Sequence, residues 1–449
     1  EWNHPNMPWD GTLLKLGRIE GEPPVIAGVQ TVDGDMEKPV FQPAFSPDGR
    51  WLSYIVQDGE WDSLVLYDLQ THQKRALLQN DNLIMPAWVQ GIRSYGWTAD
   101  SQAIYIVRSK EGFQTLHRVE VESSKEAAIP LPEYTVISQV AVCPTEEKVA
   151  FVASGPAVPI RVVVWDAING AVVQRRSMSE SIDPEDLSMP RSISWQSEEG
   201  TPVYGVYFPP TNRRFTATGL PPAIIYIHGG PTSQTMPSFS ADADFFTSRG
   251  YAYLAVNYRG STGYGRSYML ALRQRWGDLD VVDAVGGAKA LVDQGLADPA
   301  KLVIKGGSAG GYTVLNALVR YPGHFKAGLC SFGVSNLFTL AMDTHKFEER
   351  YNDSMVGTLP EAAGRYHAWS PIFFADRIRD PLAVFQGSED NVVPPDQSES
   401  IVAQLRANHV PHIYRLYEGE GHGFLKTETI AAFYQDLERF LMQHVLFVR

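Results

Sequence analysis

Apolar and polar positions follow two different rhythms along this chain. Up to about residue 195, short apolar segments alternate with turn residues. Phe45-Ser46-Pro47-Asp48-Gly49-Arg50 leads into Trp51-Leu52-Ser53-Tyr54-Ile55. The same order returns at Trp97-Thr98-Ala99-Asp100-Ser101-Gln102, which leads into Ala103-Ile104-Tyr105-Ile106, and more weakly over 143–152. The copies start about 50 residues apart. A second strand follows each, at 63–69, 116–121 and 162–165. A unit of this length holding several strands fits a β-propeller blade. A run of ordinary hairpins in a sandwich is the competing arrangement.

The repeat also bears on where the chain starts. Trp9-Asp10-Gly11-Thr12-Leu13-Leu14 matches Trp61-Asp62-Ser63-Leu64-Val65-Leu66, the third strand of a later blade. The chain is therefore expected to begin inside a blade and to hold about three and a half blades, where closed propellers use four or more. That makes it an N-terminally truncated or processed piece of a longer protein, with a natural open arc as the alternative. Open strand edges would then pair with a missing N-terminal fragment or with a second copy in a homo-oligomer.

From 196 to 449 the rhythm changes to alternating strand and helix. Strands are predicted at 202–208, 223–228, 252–258, 302–305, 327–331, 382–386 and 413–417. Helices are predicted near 240–249, 279–295, 309–321, 396–409 and 427–445. The later strands are continuous apolar runs, as a parallel sheet covered on both faces requires. The polar stretch 213–219 is expected to connect the domains. The fold class is thus α/β plus all-β: a partial β-propeller over 1–195 and a doubly wound, mostly parallel α/β domain over 196–449.

Composition narrows the classes. At 449 residues the chain exceeds one ordinary core, which agrees with two domains. A net charge of -13 and a pI near 5.3 argue against nucleic acid as a partner, because phosphate binding needs clustered Lys and Arg. Cys143 and Cys330 fall in different halves, so a disulfide framework is not expected and a reducing, cytoplasmic setting is favoured. No apolar run of ~18 residues suggests a membrane span. Residues Glu1-Trp2-Asn3-His4-Pro5 resemble neither a signal peptide nor a lipidation site. No metal-ligand spacing stands out, and no cofactor is called for.

The chemistry concentrates at Gly306-Gly307-Ser308-Ala309-Gly310-Gly311, between an apolar strand and a helical pattern. This G-x-S-x-G turn lifts Ser308 clear of the backbone as a nucleophile elbow. A serine hydroxyl needs a base, and the base needs an orienting carboxylate. In the doubly wound hydrolase arrangement the order is Ser, Asp or Glu, then His. The acid should follow the strand 382–386, where Asp390 and its neighbour Glu389 compete. The base should follow the last strand, where His422 stands between two glycines. His409 and His412 lie at that strand's entrance and read as surface residues. Oxyanion donors are expected from the backbone N–H of Gly230, in His228-Gly229-Gly230-Pro231, and of Ala309. His228 is expected to shape that loop rather than act as a base.

These motifs, with Asn257-Tyr258-Arg259-Gly260-Ser261-Thr262-Gly263-Tyr264-Gly265, the stretch 387–397 and Gly421-His422-Gly423, resemble the prolyl oligopeptidase family of serine peptidases, in its acylaminoacyl- and dipeptidyl-peptidase branches. The resemblance places Asp390 rather than Glu389 in the triad. It implies a propeller stacked on an α/β-hydrolase domain, with the site in the cavity between them. It implies hydrolysis of short peptides through an acyl-enzyme on Ser308, with folded proteins excluded. Val334, Leu337, Leu340, Phe347 and Val393 match the family's apolar substrate pocket, though ordinary core packing would also explain them. Val392 stands where some acylaminoacyl peptidases carry arginine. No paired-glutamate motif for a free amino terminus is found, and Glu348-Glu349 reads as a surface or structural contact. A carboxylesterase with the same triad and a non-catalytic propeller scaffold are the competing functions.

Overall fold

The computed structural model describes residues 1–447. They divide into two compact units, one of residues 1–184 with 236–240 and 262–267, the other of 185–235, 241–261 and the remainder.

In the first unit the strands form small antiparallel sheets of consecutive strands. β1 (Leu14–Glu20) and β2 (Val25–Asp33) make a two-stranded hairpin. β3 (Val40–Phe45), β4 (Trp51–Gln57), β5 (Asp62–Asp68) and β6 (Lys74–Asp81) form a four-stranded meander. β7 (Tyr95–Trp97), β8 (Ala103–Lys110), β9 (Phe113–Glu120) and β10 (Glu126–Ala128) form the next. β11 (Val136–Val142), β12 (Val149–Gly155), β13 (Val158–Asp166) and β14 (Gly170–Arg176) form the third. Successive side chains of a strand face opposite ways, and here both ways are apolar. In β4, Ile55 packs with Tyr95, Trp97, Ile104 and Ile106 of the following sheet, while Leu52, Tyr54 and Val56 pack with Leu14 and Val32 of the hairpin. In β8, Ile104 and Ile106 face back and Tyr105 and Val107 face forward, toward Phe151 and Val163. Sheets stacked in this way explain the continuous apolar runs of the repeat.

The repeated polar turn has a repeated hydrogen-bond pattern. Asp48 Oδ1 accepts from the Ser46 hydroxyl (2.6 Å) and the Arg50 N–H (3.0 Å). Asp100 Oδ1 accepts from the Thr98 hydroxyl (2.7 Å) and the Gln102 N–H (3.0 Å). The third copy has Cys143 and Thr145 in these places, with a weak 3.6 Å contact between them, and its sequence signal is correspondingly faint.

The second unit is built on one eight-stranded sheet. Its strands are β15 (Arg191–Gln196), β16 (Pro202–Phe208), β17 (Ala223–Ile227), β18 (Ala252–Asn257), β19 (Leu302–Gly307), β20 (Ala327–Ser331), β21 (Leu382–Gly387) and β22 (His412–Tyr417). The order is β15-β16-β18-β17-β19-β20-β21-β22, antiparallel up to β18 and parallel beyond it. The helices are α1 (Ala241–Thr247), α2 (Arg266–Leu270), α3 (Leu279–Asp293), α4 (Ala309–Arg320), α5 (Leu337–Asp343), α6 (Tyr351–Met355), α7 (Ala363–Trp369), α8 (Pro395–Ala407) and α9 (Thr427–Leu441). All six residues of β18 are buried, and Phe246, Phe385, Leu437 and Phe440 are among the side chains that fill the core on one face of the sheet. No helix among the described residues is long and apolar enough to cross a membrane.

Two expected boundaries move. The unit changes at Pro184/Glu185, not at 195/196. The cause is β15, which pairs along its length with β16 and buries the Trp195 ring against Gly205, Gly286 and Gly287. The polar stretch 213–219 connects no domains. It joins β16 to β17 within the second unit.

Candidate active site

Ser308 sits between β19 and α4 with φ 55° and ψ -126°. A non-glycine residue in this region is strained, and such strain persists only where the surroundings impose it. They do so through glycines. A Cβ on Gly306 would lie 2.5 Å from the Gly310 carbonyl, and one on Gly310 would lie 2.1 Å from the Ile227 carbonyl oxygen. Strand, turn and helix are thus pressed together more closely than any side chain allows. Gly310→Ala is expected to cost about 3 kcal/mol or more and lower the thermal midpoint by roughly 6 °C or more, measured by thermal denaturation.

The carboxylate and the imidazole are joined directly. His422 Nδ1 lies 2.8 Å from Asp390 Oδ2. The Asp390 side chain is fully buried, and its Oδ1 accepts from the N–H groups of Val392 and Val393, both at 2.9 Å. The adjacent Glu389 is exposed, and its backbone N–H bonds to the Glu420 carbonyl. A hydrogen bond from Nδ1–H to a carboxylate oxygen fixes the tautomer in which Nε2 accepts a proton. His409 is exposed and His412 half-buried, on the strand's entry side.

Phe332 lies against both His422 and Gly307, the residue before Ser308. The Phe332 ring is centred 4.7 Å from the His422 ring, and a Cβ on Gly307 would lie 2.9 Å from it. Phe332 itself has φ 38°, held by its N–H bond to the Phe385 carbonyl (2.7 Å). No local pattern marks Phe332, because its position depends on a chain reversal after β20. Among the described residues no side chain hydrogen-bonds to the Ser308 hydroxyl. Catalytic hydrogen bonds of this kind tighten when substrate binds.

The loop after β17 faces the same serine. A Cβ on Gly229 would lie 3.4 Å from Ser308 Cβ. His228 Nδ1 lies 2.8 Å from the Gly229 carbonyl oxygen, and its Nε2 lies 2.8 Å from the Ser261 hydroxyl. Burial pulls the His228 pKa down to about 4, so the ring is neutral, donates from Nδ1 and accepts from Ser261. Holding the Gly229 carbonyl on one side turns the Gly230 N–H of the same trans peptide to the other. The Tyr258 ring stacks on His228 at 4.5 Å, and its hydroxyl donates to the Pro231 carbonyl (3.0 Å). Ala309 is the first residue of α4, where no preceding helical carbonyl accepts its N–H. Below the elbow, the Thr313 hydroxyl donates to the fully buried Asp280 carboxylate (2.6 Å), whose pKa burial raises to about 6.

Of the five residues expected to line a substrate pocket, Val334, Leu337 and Val393 are almost wholly buried, Leu340 is 8% exposed and Phe347 is half-buried. Val393 is tied to the site by its N–H bond to Asp390. Glu348 is not a plain surface residue. Its side chain is 21% exposed and its carboxyl lies in the electrostatic field of His422.

An eight-stranded sheet carrying an elbow serine and a buried Asp–His pair defines an α/β-hydrolase. The model described as Prolyl oligopeptidase family matches residues 237–446, and that of the Lipoprotein LpqB beta-propeller domain matches 23–205. The chain is similar to a solved puromycin-hydrolyzing peptidase of Mycobacterium tuberculosis, with 35% identity and a TM-score of 0.94 over 100% of this chain and 68% of that one. It is 35% identical to dipeptidyl peptidase family member 6 of Caenorhabditis elegans, over 52% of this chain and 33% of the relative. It is 30% identical to an acylamino-acid-releasing enzyme of Arabidopsis thaliana, over 49% and 29%. The chain belongs to the prolyl oligopeptidase family of serine peptidases. Its matches span about a third of the length of these curated relatives.

Proposed function

We propose that this chain is a serine peptidase that hydrolyses short peptides and related amino acid amides through an acyl-enzyme on Ser308. The observation that carries the reading is the buried Asp390 bonded to His422, with Phe332 against both that imidazole and Gly307 of the elbow. Ser308 Oγ attacks the scissile carbonyl while His422 Nε2 takes its proton. The N–H groups of Gly230 and Ala309 hold the resulting oxyanion. His422 then returns the proton to the leaving amine, and water releases the acyl group by the same steps. Leu340 and Phe347, which retain exposed surface, meet the substrate side chain, with Val334, Leu337 and Val393 packed behind them. A small to medium apolar side chain fits this lining. The relative solved as a puromycin-hydrolyzing peptidase supports amide substrates and makes puromycin a candidate.

The three four-stranded sheets and the hairpin support a partial propeller of about three and a half blades. Exposed Ile19, Val25, Ile26 and Val29 on that hairpin support its pairing with a further propeller segment or a second copy. The free cysteines, Cys143 and buried Cys330, fit a reducing cytoplasmic setting.

The test is a matched pair of substrates, aminoacyl p-nitroanilides against p-nitrophenyl esters, with fluorophosphonate labelling. Amide turnover and an adduct on Ser308 are expected. Fast ester turnover with negligible amide turnover would make the protein a carboxylesterase. Absence of any adduct would leave a binding scaffold.

A further inference from the structure

We propose that Ser261 is a positioning residue of the oxyanion site, its hydroxyl holding the His228 ring at the angle that turns the Gly230 N–H toward Ser308. The inference rests on the peptidase reading and gives a task to the stretch Asn257–Ser261, which the triad does not use.

That stretch begins on the last residue of β18 and is buried throughout. It meets the loop after β17 at three points. Asn257 Oδ1 accepts from the Thr235 N–H (2.7 Å), and its Nδ2 donates to the Thr235 carbonyl (2.9 Å). The Tyr258 hydroxyl donates to the Pro231 carbonyl (3.0 Å), and the Ser261 hydroxyl lies 2.8 Å from His228 Nε2. The stretch is itself fastened to α3. The Arg259 N–H and its Nη2 each donate to the Asp283 carboxylate at 2.8 Å. The Ser261 N–H donates to the Tyr258 carbonyl (2.8 Å), so the serine is a fixed point.

Only the contact through His228 reaches the peptide between Gly229 and Gly230. Among the described residues, that ring is the one group hydrogen-bonded to this peptide, through Nδ1 and the Gly229 carbonyl (2.8 Å). The peptide needs such a hold. Neither glycine has a Cβ to resist rotation of the plane, and Gly230 stands at φ 123°, a conformation other residues rarely adopt. The ring in turn holds the peptide only while its own angle is fixed. The Gly229 carbonyl can only accept, so the single N–H of the neutral ring is on Nδ1 and Nε2 presents a lone pair. In a buried ring that lone pair needs a donor, and the Ser261 hydroxyl supplies it. Without the hydroxyl the nitrogen is buried and unsatisfied, and the ring gains by turning away, which releases the Gly229 carbonyl.

The experiment measures kcat and KM for the aminoacyl p-nitroanilide cleaved fastest, in the wild type, Ser261→Ala, Ser261→Thr, His228→Ala and the Ser261→Ala, His228→Ala double variant. It also measures inhibition by the aldehyde and by the alcohol of the same amino acid. The aldehyde carbon bonds to Ser308 Oγ, the serine proton passes to His422, and the carbonyl oxygen becomes an oxyanion. The alcohol forms no such adduct. Ser261→Ala is expected to lower kcat by about 10- to 100-fold, less than the loss of an oxyanion donor outright, with KM within about threefold. It should weaken the aldehyde by a similar factor and leave the alcohol unchanged. Ser261→Thr keeps the hydroxyl and should retain most activity. In the double variant the Ser261 change should add little to the loss from His228→Ala, because both break one connection. Should Ser261→Ala not fold, Ser261→Cys, similar in size and a weaker donor, is read in the same way. A purely structural role would lower the thermal midpoint without changing the aldehyde-to-alcohol ratio. An unchanged ratio in a variant that still takes fluorophosphonate therefore overturns the proposal and leaves the peptidase reading standing. A wild type that takes no label, or cleaves no amide, overturns both.

Discussion

Ser308→Ala is expected to lower turnover by about ten-thousand-fold or more, the scale seen when an acyl-enzyme nucleophile is removed. The thermal midpoint should move by no more than about 2 °C, since no packing or side-chain hydrogen bond is lost. Both halves follow from the local structure. The elbow is shaped by backbone contacts of Gly306 and Gly310, and the Ser308 backbone is held by its N–H bond to the Ser331 carbonyl (3.1 Å) and by the Tyr312 N–H on its own carbonyl (3.0 Å). Its hydroxyl hydrogen-bonds to no side chain among the described residues. Alanine keeps the Cβ and loses the only atom able to form an ester with substrate. Steady-state kinetics beside a thermal melt checks both claims. A variant that melts roughly 8 °C lower would show that the hydroxyl holds the turn together.

How much of this is legible before any coordinates depends on whether a residue's role is set by its chain neighbours. The elbow is legible because its glycines answer to contacts a few residues away and to one adjoining strand. The propeller repeat is legible because each sheet uses the same Asp-centred turn at Asp48 and Asp100. The choice of Asp390 over Glu389 is harder from local pattern alone. Both follow β21, and only the tertiary fold buries one and exposes the other. Arg191–Gln196 reads as the end of the first half, because the helix it packs on, α3, is about 90 residues away, and only Trp195 inserted at Gly286 and Gly287 assigns it to the second. The helices α2, α5, α6 and α7 run to only five or seven residues, too short for a 3.6-residue period to show. Phe332 and the Ser261–His228 pair share one property: each acts through a partner distant in the chain, so no window of sequence holds both members.

Asp390→Asn is the second large effect, with kcat expected to fall by about ten-thousand-fold near neutral pH, as for other orienting aspartates of this kind. An amide offers an N–H where the carboxylate offered a lone pair. The ring then protonates at Nε2 in order to accept that N–H at Nδ1, and an Nε2–H cannot take the proton of Ser308. The imidazolium that forms in the transition state also loses its counter-charge. Fold is a smaller matter. The asparagine carbonyl oxygen still accepts from Val392 and Val393, whose N–H groups now bond Asp390 Oδ1. The variant should therefore melt close to the wild type while losing nearly all amide turnover. Fluorophosphonate labelling should slow by a comparable factor, since it uses the same Ser308 oxygen and the same base. Turnover within about tenfold of the wild type would mean that another carboxylate orients His422.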